Sequence, residues 1–99
     1  MHLISRKALK EFYKEHSDAE KPLKEWLSKI KHARWKSIAD VRRTFPHADA
    51  VETKSGTLTV FNIGGNKYRL IARICYVPHI LYVIKILTHE DYRKENWKK

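Results

Sequence analysis

The sequence predicts an α+β fold in which two helices precede a small antiparallel sheet. Up to residue 45, apolar side chains recur every three or four residues, which is typical of helices that bury one face. Between residues 58 and 87, segments rich in β-branched and aromatic residues are separated by short turns, as in consecutive antiparallel strands. Because the two kinds of element do not alternate, the pattern favours α+β over α/β. We expect an N-terminal helical hairpin packed on a sheet of three or four strands, followed by a short C-terminal helix.

A short strand over residues 2–4 and two helices are predicted at the amino terminus. Ser5 is the expected cap of the first helix, whose apolar stripe consists of Ala8, Leu9, Phe12, Tyr13 and His16. The second helix is expected over residues 19–31, with Pro22 in its first turn, where a missing N–H is harmless. Its apolar stripe consists of Leu23, Trp26, Leu27 and Ile30. We interpret these aromatic side chains, and Trp35 after them, as core residues.

Capping-box spacing marks two further helix starts. Ser37 and Asp40 begin a short helix predicted over residues 37–45, which the next residue, a proline, ends. Thr88 and Asp91 have the same spacing and begin the C-terminal helix. In a capping box the side chains bind backbone N–H groups that have no partner within the helix.

The strands of the second half are delimited by turn residues. Glycine and asparagine at residues 64–66 tolerate the positive φ of a tight hairpin turn, which leads into a long strand over residues 67–77. Pro78 separates this strand from the next, which is predicted over residues 80–87. We expect Trp97 to pack the last helix back onto the sheet.

Composition limits the classes of function. Ninety-nine residues fit one domain, and lysine plus arginine outnumber aspartate plus glutamate by 21 to 11, which gives a net charge of +10. Such a surface attracts polyanions, so nucleic acid, an anionic membrane surface and an acidic protein partner all stay open. The single cysteine, Cys75, excludes an internal disulfide and a cysteine-based zinc site, and we expect it to be a buried apolar residue. No apolar stretch has the length of a signal peptide core or a membrane span, so we expect the cytoplasm.

The long strand is predicted to have one apolar face and one basic face. Its apolar set consists of Tyr68, Leu70, Ala72, Ile74 and Tyr76. The cations of the opposite set are Lys67, Arg69 and Arg73. On the following strand, alternate residues are expected to share one face, namely Leu81, Val83, Lys85, Leu87 and His89. We therefore expect Lys85 and His89 to lie on the basic side of the sheet. A solvated outer face and a phosphate-binding face both fit this pattern, although no acidic residue accompanies the cations of the long strand.

Catalysis by a bound metal is not indicated by the sequence. Metal-dependent phosphodiester hydrolysis uses clustered carboxylates, whereas the acidic residues here are scattered and no D-x-D or H-E-x-x-H pattern occurs. Metal-free cleavage of RNA needs only a base, an acid and cations, because the 2′-hydroxyl of the substrate attacks the adjacent phosphate. Histidine, tyrosine, lysine and arginine supply these groups. The sequence therefore predicts neither a metal nor a cofactor.

Two segments of the second half combine into a specific motif, FNIGGNKYRLIA (residues 61–72) and LTHEDY (residues 87–92). Together with the upstream WKSIADVRRTFPHADAV and the opening MHLI, they resemble the HigB branch of the RelE superfamily of toxin–antitoxin ribonucleases. The resemblance implies a single RelE-like toxin domain over residues 1–99 that cleaves messenger RNA on the translating ribosome. It also implies a HigA-type helix-turn-helix antitoxin as partner, no membrane partner, and contact with DNA only through the antitoxin complex.

The resemblance also implies roles for three residues in catalysis. Arg69, the arginine of the YRLI block, would bind phosphate and stabilise the transition state. His89, the histidine of the T-H-x-x-Y ending, would act as general acid or base. Tyr92, the tyrosine of that ending, would stack on a base or take part in proton transfer.

Three further cations are assigned to RNA binding. Lys67, in the GNKYR segment, would hold the RNA backbone, and Arg73 would contact RNA. In similar chains a basic residue often stands where this chain has Ile84, so either Lys85 substitutes from a neighbouring face of the strand or the strand register differs. The alternative to the toxin is a non-catalytic basic RNA-binding module or a toxin homologue without activity.

Overall fold

A computed structural model describes residues 1–94 and 97. The helices of this part are α1 (Arg6–Glu15), α2 (Glu20–Lys31), α3 (Ile38–Thr44) and α4 (His89–Arg93), with a 3₁₀ turn, Ser17–Ala19, between α1 and α2. The strands are β1 (His2–Ile4), β2 (Asp49–Thr53), β3 (Gly56–Ile63), β4 (Tyr68–Cys75) and β5 (Ile80–Thr88). The predicted α+β class and the short C-terminal helix are confirmed.

The described strands form one five-stranded sheet in the order β1–β5–β4–β3–β2, so the expectation of three or four strands is wrong. β1 pairs with β5 in parallel, and all other neighbours are antiparallel. β2 was missed because its sequence, DAVET, lies mostly exposed at the sheet edge and lacks an apolar face. The parallel pairing of β1 joins distant parts of the chain, which local patterns do not reveal.

A β-bulge at Ile84 interrupts the alternation of side chains along β5. Val83 pairs with Ala72 on the helix-covered face, whereas Lys85 pairs with Ile71 on the opposite face, and Ile84 lies between them without a partner in the register. A bulge of this kind shifts the parity of every residue that follows it. The expectation that Val83 and Lys85 share a face is therefore wrong, although Lys85 does lie on the same side as Arg69.

The main core lies between the helices and one face of the sheet. Buried side chains from α1 and α2 belong to the same apolar cluster as buried side chains of the sheet, among them Leu9, Leu23, Trp26, Ile30, Leu70, Ala72 and Leu81. Phe61 is completely buried, and its ring centroid lies 5.4 Å from that of Trp26 and 5.2 Å from that of Phe45. Trp35 stacks at 6.3 Å from Phe61, so the interpretation of these tryptophans as core residues is confirmed.

Only one of the three predicted caps forms its side-chain hydrogen bond. Thr88 Oγ1 accepts from the backbone N–H of Asp91 at 3.1 Å, which confirms the start of α4. Ser5 and Ser37 stand at the N-cap positions of α1 and α3, but neither side chain makes a cap hydrogen bond. Asp40 instead accepts from the N–H of the residue before Ser37, at 2.9 Å.

Candidate functional site

The face of the sheet opposite the main core is partly covered by the C-terminal segment. Its buried cluster consists of Leu58, Val60, Ile71 and Trp97, with Tyr92 packed against it. The indole N–H of Trp97 donates to the carbonyl oxygen of Tyr92 at 3.1 Å, and the two rings stack with centroids 5.1 Å apart. The predicted packing of Trp97 onto the sheet is confirmed, and this face is not the uniformly solvated surface that was one alternative.

Arg69 lies beside this cover and is buried, with only 9% of its surface exposed. Its Nη1 donates to the carbonyl oxygen of Tyr68 at 3.2 Å, and its guanidinium carbon lies 5.4 Å from the centre of the Tyr92 ring. Within residues 1–94 and 97, no carboxylate pairs with Arg69. Its other guanidinium nitrogens are not among the fully buried atoms that lack a hydrogen-bond partner. Burial of an unpaired cation is unfavourable, so this position favours an anionic ligand.

His89 is held near Arg69 by the backbone. Its N–H donates to the carbonyl oxygen of Lys67 at 2.9 Å, and the preceding Thr88 pairs with Tyr68 in the sheet. The imidazole is exposed at the first residue of α4 and makes no hydrogen bond within the described part of the chain. An exposed imidazole can exchange a proton with a ligand that reaches it, and His89 follows Leu87, the sheet partner of Arg69, by two residues.

Lys67 and Tyr68 share one carboxylate, that of Asp18. Lys67 Nζ lies 3.0 Å from Asp18 Oδ2, and the Tyr68 hydroxyl donates to Asp18 Oδ1 at 2.5 Å. The hydrogen bond from Tyr68, and then that from Lys67, lowers the pKa of Asp18 below its ordinary 3.8. The hydrogen bond to Asp18, and then burial, raises the pKa of Tyr68 above 10.0. Sequence reasoning missed Asp18, because no local pattern links residues 49 and 50 positions apart.

Asn62 is a second residue of the site that sequence reasoning missed. It pairs with Arg69 across β3 and β4, while Leu87 pairs with Arg69 on the other side, so all three lie in one row of the sheet. An amide is a donor and an acceptor at a position where a ligand of Arg69 would lie. The sequence does contain one indication of this residue. Asn62 is polar, although it shares a face of β3 with the apolar Leu58 and Val60.

Arg73 and Lys85, which were predicted to bind RNA, lie farther along the same face. Arg73 donates to the backbone oxygen of Ser55 at 3.0 Å and to its hydroxyl at 3.2 Å, and so holds the β2–β3 turn. It is four residues from Arg69, or about 13 Å along the strand. Lys85 is exposed and lies across from Ile71. Contact of these two cations with RNA stays a prediction.

The described residues contain no group of three histidine, cysteine, aspartate or glutamate side chains that could hold a metal ion. In the same part of the chain, no helix combines the length and the apolar composition of a transmembrane segment.

Cys75, expected to be buried, is a free thiol at a partly exposed position at the end of β4. The site is thus built from cationic, aromatic and imidazole groups.

Residues 19–95 match the family model described as HigB_toxin, the RelE-like toxic component of a toxin–antitoxin system. The chain belongs to the HigB toxin family. Similar relatives include the mRNA interferase toxin HigB of Escherichia coli K12, 28% identical over 92 residues that cover 93% of this chain and 88% of that protein. The mRNA interferase HigB of Shigella flexneri matches to the same extent. That of Escherichia coli O6:H1 is 28% identical over 94 residues, 95% of this chain and 90% of its own.

All six cations and rings predicted for the site fall within the segment that matches the HigB family. The structure brings two of their side chains together, since the guanidinium carbon of Arg69 lies 5.4 Å from the centre of the Tyr92 ring. The backbone N–H of His89 donates to the carbonyl oxygen of Lys67, two residues before Arg69. Lys67 lies in the turn immediately before β4, and its Nζ is paired with Asp18. The arrangement can bind a phosphate group at Arg69, next to the Tyr92 ring.

Proposed function

We propose that this HigB family member is a toxin that acts as an mRNA interferase, an endoribonuclease that cleaves translated messenger RNA on the ribosome. The observation that carries the proposal is the buried guanidinium of Arg69, which has no carboxylate partner among the described residues and keeps solvent-accessible donors. A phosphate of the RNA backbone supplies the missing charge and accepts these donors. The names of the relatives, all mRNA interferases, support the same activity.

The reaction that fits these groups is transesterification within the RNA. The 2′-hydroxyl oxygen attacks the adjacent phosphorus, the bond from phosphorus to the 5′-oxygen breaks, and the products carry a 2′,3′-cyclic phosphate and a 5′-hydroxyl. Arg69 stabilises the negative charge that develops on the phosphoryl oxygens. His89 is one of the two proton-transfer groups, and the Tyr92 ring keeps the guanidinium in place. No metal and no cofactor takes part in this scheme.

The fold supports the proposal through its RelE-like arrangement. We infer that α1 and α2 form the helical hairpin of a single domain over residues 1–99, with one sheet face toward the hairpin and the other toward RNA. The shared apolar cluster of these helices and the sheet supports this arrangement. Positioning of the codon by the ribosome supplies part of the catalytic geometry, so a small site of few groups is sufficient.

The proposed partners follow from the family. A HigA-type helix-turn-helix antitoxin neutralises the toxin, and the complex contacts DNA only through that antitoxin. Because translated messenger RNA is the substrate, the place of action is the cytoplasm. The net charge of +10 favours encounter with polyanions such as RNA and ribosomes.

The proposal is tested by expression of the chain in growing bacteria, with growth and RNA ends as readouts. In cells we expect growth arrest and new RNA ends within translated codons, with a 5′-hydroxyl on the downstream fragment. With purified protein and ribosomes, the same cleavage should persist after all divalent metal except that held by the ribosome is removed. Arg69→Met should reduce cleavage by about 100-fold or more, the magnitude of a lost oxyanion contact.

Arg34→Met is the matched control, since it removes the same charge at an exposed residue that makes no ion pair within the described residues. It should leave cleavage unchanged. Thermal denaturation of Arg69→Met verifies that the variant is folded. Binding to ribosomes without any cleavage by the intact chain would overturn the proposal and identify a non-catalytic RNA-binding module.

A further inference from the structure

Asp18 joins the helical part of the molecule to the strand that carries the site. It lies in the 3₁₀ turn between α1 and α2, and each of its carboxylate oxygens bonds to one of two consecutive residues, the last before β4 and the first of β4. Oδ1 accepts from the hydroxyl of Tyr68 at 2.5 Å, and Oδ2 lies 3.0 Å from Nζ of Lys67. The side chains of Lys67 and Tyr68 are thereby both bonded to the carboxylate of Asp18.

The backbone carbonyls of the same two residues hold the proposed catalytic groups. The carbonyl oxygen of Tyr68 accepts from the guanidinium of Arg69 at 3.2 Å. The carbonyl oxygen of Lys67 accepts from the N–H of His89 at 2.9 Å. A shift of the strand start would therefore move the guanidinium and the first residue of α4 together.

We propose that Asp18 is a positioning residue for RNA cleavage, which acts through Lys67 and Tyr68 to keep Arg69 and His89 in one fixed arrangement. This inference rests on the proposed function, because it assigns a role in the same reaction. Asp18 belongs to a different element from the proposed catalytic residues and does not touch substrate in this scheme. Its effect depends on geometry, and small displacements of reacting groups reduce rates strongly.

The Tyr68 side chain is well suited to transmit this restraint. It is buried, and its ring lies edge-on to Phe12 at 5.2 Å and to His16 at 5.5 Å between centroids. Packing therefore fixes the ring, and with it the position of the hydroxyl oxygen. Asp18 provides that acceptor.

Stability and positioning are separable at Asp18, because its side chain is 49% exposed. Partly exposed ion pairs contribute little to the free energy of unfolding. Replacement of Asp18 by asparagine keeps an oxygen that can accept the hydrogen bond from the Tyr68 hydroxyl, but it removes the negative charge that attracts both Lys67 and Tyr68. The variant should thus remain folded while the start of β4 becomes less restrained.

The test is Asp18→Asn in a ribosome-dependent cleavage assay that separates kcat from KM. We expect kcat to fall about 10-fold. KM should stay constant or decrease, because Lys67 loses its carboxylate partner and becomes free to bind RNA. Glu11→Gln is the matched control, since Glu11 forms an exposed pair with Lys7 at 3.8 Å on α1 and makes no hydrogen bond or ion pair with β4 in the described part of the chain. It should leave both parameters unchanged.

Tyr68→Phe provides a second variant and a double-mutant cycle. It should lower kcat in the same way, and Asp18→Asn should have little further effect in that background, because both changes remove the same link. Ultraviolet titration of tyrosinate, compared with Tyr68→Phe to isolate the one residue, should show the pKa of Tyr68 fall toward its ordinary 10.0 in Asp18→Asn. This readout does not depend on activity.

The outcomes are distinct. Unchanged kcat in Asp18→Asn, with an active wild-type protein, overturns the positioning role while the proposed function stands. A rise in KM at constant kcat also overturns it, because Asp18 would then assist binding alone. No cleavage by the wild-type protein contradicts the proposed function itself, and a loss of kcat for which both single variants add independently contradicts transmission through Tyr68.

Discussion

Tyr92 contacts both the guanidinium of Arg69 and the indole of Trp97 through its ring. A cation over an aromatic ring is stabilised by about 0.5–1 kcal/mol when exposed and about 2 kcal/mol when desolvated. Arg69 is buried, so the larger figure applies, and the ring compensates in part for the absence of a carboxylate. The Tyr92 hydroxyl makes no hydrogen bond within the described residues. The ring, rather than the hydroxyl, therefore accounts for the contacts of this residue.

Replacement of Tyr92 separates these two parts of the side chain. Tyr92→Phe keeps the ring over Arg69 and should retain RNA cleavage close to the wild-type rate. Tyr92→Leu removes the ring and should lower kcat by about 10-fold or more, because the guanidinium loses a contact worth about 1–2 kcal/mol and its fixed position. The measurement is kcat on programmed ribosomes, with thermal denaturation as the check on folding. Equal losses in both variants would show that the hydroxyl, and not the ring alone, is required for cleavage.

The position of Arg69 could be predicted from sequence, but its environment could not. Alternation of Tyr68 and Arg69 along β4 places their side chains on opposite faces, as the structure shows. The guanidinium of Arg69 is covered by the ring of Tyr92, which packs on the sheet from the C-terminal helix. Asp18 also reaches the site from a distant element. Contacts between distant residues leave no periodic signal in a single sequence.

The helices and strands, like the site, were predicted where the pattern is local and missed where it depends on distant residues. α2 and β4 have strong apolar patterns, and both were predicted close to their observed bounds. The bulge at Ile84 follows from the pairing of β5 with β4 and not from its own residues, so strict alternation failed there. β2 carries little apolar area, because it is an edge strand with exposed side chains. Sequence patterns thus report the burial of an element more reliably than its pairing.

β3 contributes the central side chain of the main core, and its removal should be costly. Phe61 is completely buried among the rings of Trp26, Trp35 and Phe45. Phe61→Ala should lower the free energy of unfolding by about 3–5 kcal/mol, because it removes apolar contacts and leaves a cavity. Urea denaturation at neutral pH measures this loss, with Phe61→Leu as a milder variant if the alanine variant does not fold.

Val77→Ala is the control for the core prediction. Val77 is an apolar residue with 88% of its surface exposed, so its truncation should change the free energy of unfolding by less than about 0.5 kcal/mol. Similar small losses in both variants would contradict the placement of Phe61 at the centre of the core.

Charge acts over the whole molecule as well as at single residues. The net charge of +10 raises the local concentration of RNA, and most of the cations responsible are exposed. Carboxylates among the described residues form ion pairs at other positions, including Glu20 with Lys24 and Asp49 with Arg42. The general field and the specific phosphate contact at Arg69 therefore contribute separately to RNA binding, and their dependence on salt distinguishes them.

The affinity of the whole chain for a short single-stranded RNA should fall linearly with salt concentration on logarithmic axes, because each phosphate contact releases a counterion. Arg69→Met should reduce this slope by about 0.7, the contribution of one contact to single-stranded RNA. Arg34→Met lowers the net charge equally, but Arg34 lies outside the site, so it should leave the slope unchanged while it weakens the field slightly. Fluorescence anisotropy at several salt concentrations measures the three slopes. Equal changes in both variants would show that Arg69 acts only through the net charge, and would contradict a direct phosphate contact at the buried guanidinium.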